Sequence, residues 1–175
     1  MKGGLRLYRP QEHSSSSGTL NIWSAMTVPG PRIKLPSEPP SFGFGKVGPP
    51  HGRHLAVRVV NDTILEIFYS MKFLPRKSLP ERIRICSVSL QQTWSQNAVW
   101  ICSSSRDLVT PQTQYEGQFA PVGGMGGGGS GKLHREVRDP SVFEDDDGSI
   151  YLAYSAGRET SVAVAKLHRY MQQKS

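Results

Sequence analysis

Between residues 54 and 70 the apolar and polar positions follow a strand–turn–strand scheme. The run HLAVRVV (54–60) is mostly apolar, Asn61-Asp62-Thr63 interrupts it, and ILEIFYS (64–70) resumes it. A short polar turn between two such runs predicts a β-hairpin. After a basic, proline-containing loop (71–80), ERIRICSVSL (81–90) alternates again, with Ile83 and Ile85, then Val88 and Leu90, as core candidates. Residues 91–102 hold Trp94 and end in VWIC (99–102), which reads as an outer strand, while 103–137 reads as loop. The last third returns to the first scheme. DPSVFED (139–145) leads into Asp146-Asp147-Gly148, SIYLAYS (149–155) follows, and TSVAVAKL (160–167) adds a third run before a short polar tail. Asp-Gly suits a tight hairpin turn because glycine tolerates positive φ. No segment keeps a helical period over three turns, so the patterned region is expected to be all-β.

The two patterned regions align. His54–Ser70 lies over Asp139–Ser155 without a gap, pairing Val57 with Val142, Leu65 with Ile150, Ile67 with Leu152 and Tyr69 with Tyr154. Arg53 and Arg138 precede the two copies, the two turns coincide, and ICSVSL (85–90) is expected over VAVAKL (162–167). A three-strand meander built twice suggests blades of a β-propeller. The first strand of each blade would then line a central channel, with Arg53/His54 and Arg138/Asp139 at its mouth. Propellers close with about 4–8 blades, so two or three blades imply a fragment, or a protein that self-associates through open blade edges.

Composition sharpens the boundaries. Residues 1–50 are rich in Pro and Ser, with Pro10, Pro29, Pro31, Pro36, Pro39, Pro40, Pro49 and Pro50. Proline removes backbone donors, so long helices and central strands are not expected there and the segment reads as a disordered arm. The expected organisation is this arm, a partial propeller over 51–168 (blade 54–102, Gly-rich loop 103–137, blade 138–168) and a tail over 169–175. The net charge is +7, and residues 1–53, with 7 basic and 2 acidic residues, carry +5 of it. The basic excess therefore sits in the arm, and with no aromatic–basic interleaving it carries no case for nucleic acid. No run of about 18 apolar residues marks a membrane span, and no apolar h-region marks a secretory signal. The compartment is left open. Two cysteines make neither a disulfide framework nor a four-ligand zinc site; Cys86 and Cys102 read as packing. GGMGGGGSGKL (123–133) has phosphate-loop spacing at Gly126, Gly131 and Lys132, but Leu133 stands where Ser or Thr would hold magnesium, so it reads as a flexible insert. Glu144-Asp145-Asp146-Asp147 lacks the alternation of a calcium loop and reads as a solvated hairpin tip. No cofactor and no metal are expected.

The stretch RDPSVFEDDDGSIYLAYS (138–155) resembles the five-bladed β-propeller glycoside hydrolases of the family 43 type, within the arabinanase–levansucrase–invertase superfamily. The resemblance extends over residues 51–168 and implies hydrolysis of glycosidic bonds in a polysaccharide, with a carbohydrate as partner. It implies that Asp139 is the carboxylate that tunes the acid and orients substrate, or with a poorer match the general base, that Arg138 keeps it ionised and contributes to substrate binding, and that Glu116, in Tyr-Glu-Gly, is the acid. His54 and Arg53 are implied to bind substrate. Glycosidases work with one protonated and one ionised carboxyl group. The chain departs from the family in order, since Glu116 precedes Asp139, and His54 stands where a second Asp is expected. A truncated or degenerate member is therefore the expectation. The alternative is a non-catalytic carbohydrate-binding or interaction fragment using aromatics such as Trp94, Tyr115 or Phe119. Glu159, in a turn between strands, reads as a plain turn carboxylate, with a place at the channel rim as the alternative.

Overall fold

The computed structural model describes residues 5–10, 27–34, 51–72, 80–93, 95, 98–122 and 132–168. These form ten strands and, among the described residues, no helix. They are β1 (Leu5–Pro10), β2 (Thr27–Lys34), β3 (His51–Val60), β4 (Ile64–Lys72), β5 (Arg82–Ser89), β6 (Val99–Ile101), β7 (Ser103–Val109), β8 (Val137–Glu144), β9 (Ile150–Ala156) and β10 (Ser161–Leu167). Three sheets result, in the orders β1-β2-β6, β3-β4-β5-β7 and β10-β9-β8. The second and third are antiparallel meanders. The chain is all-β, as the alternation predicts.

The two hairpins share their register position for position. Arg53 faces Ser70 as Arg138 faces Ser155, and Val57 faces Ile67 as Val142 faces Leu152. Both first strands bulge just after the arginine. Both turns close with the same bond, Thr63 N–H to the Val60 carbonyl (3.2 Å) and Gly148 N–H to the Asp145 carbonyl (2.8 Å). The third strand departs from the expected alignment. Ile67 pairs with Cys86 but Leu152 pairs with Ala165, so β10 sits two residues away from the register that ICSVSL over VAVAKL requires. A two-residue slip keeps every side chain on its own face, so hydrophobic alternation cannot detect it.

Other expectations are corrected. Val99–Ile101 is not the outer strand of the first meander; it joins β2 in parallel, and Ser103–Val109, read as loop, is the fourth strand of the second sheet. The arm holds two strands, and β2 is central in its sheet despite Pro29 and Pro31. Pairing resolves the conflict. The proline half of β2 pairs with β1 alone, and only Arg32, Ile33 and Lys34 face β6. A proline is tolerated where one side of the strand needs no donor. Trp94 and residues 123–131 lie outside the described residues.

The core lies between the sheets. One cluster joins Leu65, Ile67, Tyr69 and Met71 of β4 and Cys86 and Val88 of β5 to Trp100 and Cys102. Cys86 and Cys102 do more than pack: they form a disulfide that ties β5 to the end of β6. The opposite face of the second sheet, through Phe68 and Ile83, meets Val137, Leu152, Tyr154, Ala156 and Ala163 of the third. The second sheet is thus covered on both faces. Arg58 of β3 strengthens the second junction, reaching Glu66 within its sheet (3.2 Å) and Glu144 of β8 (2.7 Å). Burial works against the Arg58 charge, but the two carboxylates outweigh it and hold its pKa above the ordinary value.

Candidate functional site

The two residues aligned at the starts of the repeats stand against each other. His54 and Asp139 each follow an arginine in a first strand, each is the extra residue of a bulge, and each has left-handed backbone, with φ of 50° and 53°. A bulge re-aims a side chain out of the pleat, and His and Asp are among the few non-glycine types that accept this conformation. The re-aimed side chains meet, with His54 Nδ1 on Asp139 Oδ1. The Asp139 N–H donates to the Ser70 hydroxyl of β4 at 3.0 Å, which fixes the bulge to the neighbouring sheet.

Behind this pair lies the buried guanidinium of Arg138. Its Nε is 3.5 Å from Asp139 Oδ2 and its Nη2 is 2.5 Å from Glu159 Oε1. Glu159, in the β9–β10 turn with φ of 65°, completes a chain His54–Asp139–Arg138–Glu159. Two carboxylates on one guanidinium lie within about 10 Å of each other, the span over which glycosidase carboxyl pairs act. Chemically, an Asp–His pair orients the imidazole and leaves Nε2 as the outward nitrogen, able to donate to or accept from a ligand hydroxyl. Asp139 is partly exposed and His54 is exposed, so a solvent-borne ligand has access to both.

Glu116 is placed differently. It is buried, its Oε1 accepts from the Tyr154 hydroxyl (2.6 Å), and its Oε2 accepts from the N–H groups of Gln112 (2.8 Å) and Thr113 (2.9 Å). Burial alone would raise its carboxyl, but the Tyr154 hydroxyl and the donors at Gln112 and Thr113 outweigh burial and hold it below the usual carboxylate range. Burial and the adjacent carboxylate together push the Tyr154 phenol upward. A carboxylate held ionised with both oxygens engaged anchors the 110–120 turn; it is not poised to give up a proton. Arg53 faces Ser70 by its backbone, and its side chain lies outside what the structure describes. The turn that Glu116 anchors carries Tyr115 and Phe119, both exposed.

A second polar cluster joins the same two sheets. Lys72 Nζ lies 3.9 Å from Glu81 Oε2 and 3.4 Å from Glu136 Oε1, with both carboxylates buried. The two glutamates form a backbone bridge, and Val137 N–H donates to the Glu81 carbonyl at 3.1 Å. At the hairpin tip the acidic run is used locally. Asp147 takes the N–H and hydroxyl of Ser149, which hold its carboxyl below the ordinary value, and Asp145 takes the Asp146 N–H. Among the described residues no group of three or more His, Cys, Asp or Glu side chains stands ready for a metal.

Sequence reasoning places Asp139, Arg138 and His54 at one channel mouth and reads Glu159 as a turn carboxylate with the channel rim as the alternative, not as a partner of Arg138. Nothing in the spacing marks Glu159, because a turn glutamate reaches Arg138 only once β9 and β10 have paired. Ser70 was legible as a repeat position, aligned with Ser155, but not as a partner of Asp139. Comparison with protein-family models, with curated proteins and with solved structures finds no match to this chain.

Proposed function

We propose that this chain is a carbohydrate-binding part of a β-propeller similar to the family 43 glycoside hydrolases, in which Asp139, His54 and Arg138 hold sugar hydroxyls at the start of the innermost strands. One observation carries the reading: two residues aligned by an internal repeat share one unusual backbone conformation and meet side chain to side chain, backed by a buried arginine. Such a site offers an acceptor carboxylate and an imidazole nitrogen side by side, the donor–acceptor pairing that vicinal hydroxyls satisfy. Tyr115 and Phe119 supply exposed aromatic faces of the kind that pack on sugar rings. Binding without hydrolysis suits the contacts of Glu116 better than the acid role its motif implies.

A second reading, hydrolysis by this chain, is favoured by Asp139 and Glu159 sharing Arg138. In that reading Asp139 and Glu159 are the two carboxyl groups that flank the substrate, held in place through Arg138. The two readings part in one experiment. Arabino-, xylo- and fructo-oligosaccharides are titrated calorimetrically into the parent and into Asp139→Asn, and reducing ends are assayed in parallel. The expected result is binding in the parent, at least tenfold weaker in Asp139→Asn, with no reducing ends released. Release that Asp139→Asn abolishes would establish hydrolysis, and equal binding by both proteins would remove Asp139 from the site.

A further inference from the structure

Asn61, Asp62 and Thr63 form the tip of the first hairpin, between β3 and β4. Asn61 and Asp62 are exposed and take left-handed backbone, with φ of 49° and 53°, and the Thr63 N–H closes the turn on the Val60 carbonyl at 3.2 Å. Turn chemistry accounts for Asn and Asp at the two positive-φ positions. It does not account for Thr63. At the tip of the second hairpin Gly148 holds the equivalent place and makes the same closing bond, so the closure needs a backbone N–H and no hydroxyl. Asn with Thr two residues later, and a residue other than Pro between them, is the acceptor triplet of N-linked glycosylation. The chain's other asparagines, Asn21 and Asn97, lack it, having Trp23 and Val99 at the third position.

A second, independent observation bears on the compartment this modification requires. Cys86 and Cys102, the two cysteines of the chain, are bonded to each other, and no thiol is left free. Both are 2% exposed, inside the cluster that joins the first two sheets. A bond buried in this way is part of the folded core and not a transient redox exchange. Such bonds form and persist where folding is oxidative, in the secretory lumen and beyond it.

We propose that Asn61 is an N-glycosylation site, modified in an oxidising secretory lumen by a membrane-bound transferase that draws its oligosaccharide from a lipid diphosphate. Asn61 Nδ2 bonds to the anomeric carbon of the donor, the bond from that carbon to the diphosphate oxygen breaks, the amide gives one proton to a base of the transferase, and the lipid diphosphate leaves. His54 stands toward the other end of β3, about 20 Å of strand away, so the glycan is rooted clear of the His54–Asp139 contact. It is rooted instead beside Val57 and Val59, both exposed on β3, which has one strand neighbour among the described residues. A bulky hydrated group there obstructs edge-to-edge pairing with other chains. The inference does not rest on sugar binding by this chain.

The test directs the full chain into the secretory lumen of eukaryotic cells with a cleavable leader, which separates the acceptor from the route of entry. Protein recovered from lumen and medium is treated with a glycan-releasing amidase, which leaves Asp in place of a modified Asn61, and the peptide is read by mass spectrometry. Because the sugar is added during synthesis, this readout serves equally for a variant that is retained and not secreted. Parent and Thr63→Ser are expected to carry a glycan at Asn61 and to gain mobility on digestion. Asn61→Gln, which removes the acceptor, and Thr63→Ala, which removes only the hydroxyl, are expected to run at the digested position from the start. Protein purified from the cells that make it naturally is expected to carry the glycan at the same residue. An unmodified Asn61 in either source overturns the inference. A mobility shift that survives in Asn61→Gln overturns it as well, because the sugar would then be attached elsewhere. Free Cys86 and Cys102 thiols in the lumenal protein, read by alkylation, would remove the compartment on which it stands.

Discussion

His54 and Asp139 show how much one backbone angle settles. Their left-handed conformation turns each side chain out of its strand and toward the other. A β-branched residue tolerates that angle poorly, at about 1–2 kcal/mol. His54→Val is therefore expected to lower unfolding stability by about that amount in urea titration, and His54→Asn by less, because Asn accepts positive φ. The sequence showed two residues at one repeat position; the shared angle became visible only with the bulges. Glu116 makes the complementary point. The motif around it implied a proton donor, but its neighbours, brought in from Gln112, Thr113 and β9, make it an anchor. Its folded pKa is depressed, so its contribution to stability is full above the ordinary carboxyl value of 4.5 and is lost as pH falls through the lower folded value. Glu116→Gln is expected to cost about 1–3 kcal/mol at neutral pH. Melting curves of parent and variant between pH 7 and pH 3 should converge toward the acid end, and a constant gap across that range would contradict the assignment.

At the level of strands, alternation located β3, β4, β5, β8, β9 and β10, and the repeat anticipated the shared register of the two hairpins. It did not assign Val99–Ile101 to its sheet, because a three-residue strand has no period to read and its partner, β2, lies more than sixty residues earlier. It missed the Cys86–Cys102 disulfide for a related reason: buried cysteines in apolar strands look alike whether packed or bonded, and only the apposition of β5 and β6 brings the sulfurs together. The bond closes a loop with a sequence separation of 16, between two sheets that otherwise meet through side-chain packing. For a closed loop of about this length the expected stabilisation is about 3 kcal/mol. Reduction, or Cys86→Ser with Cys102→Ser, is expected to lower the urea midpoint accordingly, and an unchanged midpoint would mean that the sulfurs are not bonded in solution.

For the molecule as a whole, the second sheet is covered on both faces, and the His54–Asp139 contact lies where it meets the third. Polar links reinforce that seam along its length, with Arg58–Glu144 at one end of the strands and Lys72 between Glu81 and Glu136 at the other. By itself the sequence determined the all-β class, the two hairpins, their turns and the equivalence of His54 with Asp139, because side-chain alternation and turn chemistry are local properties. Tertiary structure alone decided the parallel placement of β6, the disulfide, the pairing of His54 with Asp139, the engagement of Glu159 and the anchoring role of Glu116. Each of these depends on which distant strands come into contact, and a pattern with a period of two records which face a residue occupies but not what lies across from it.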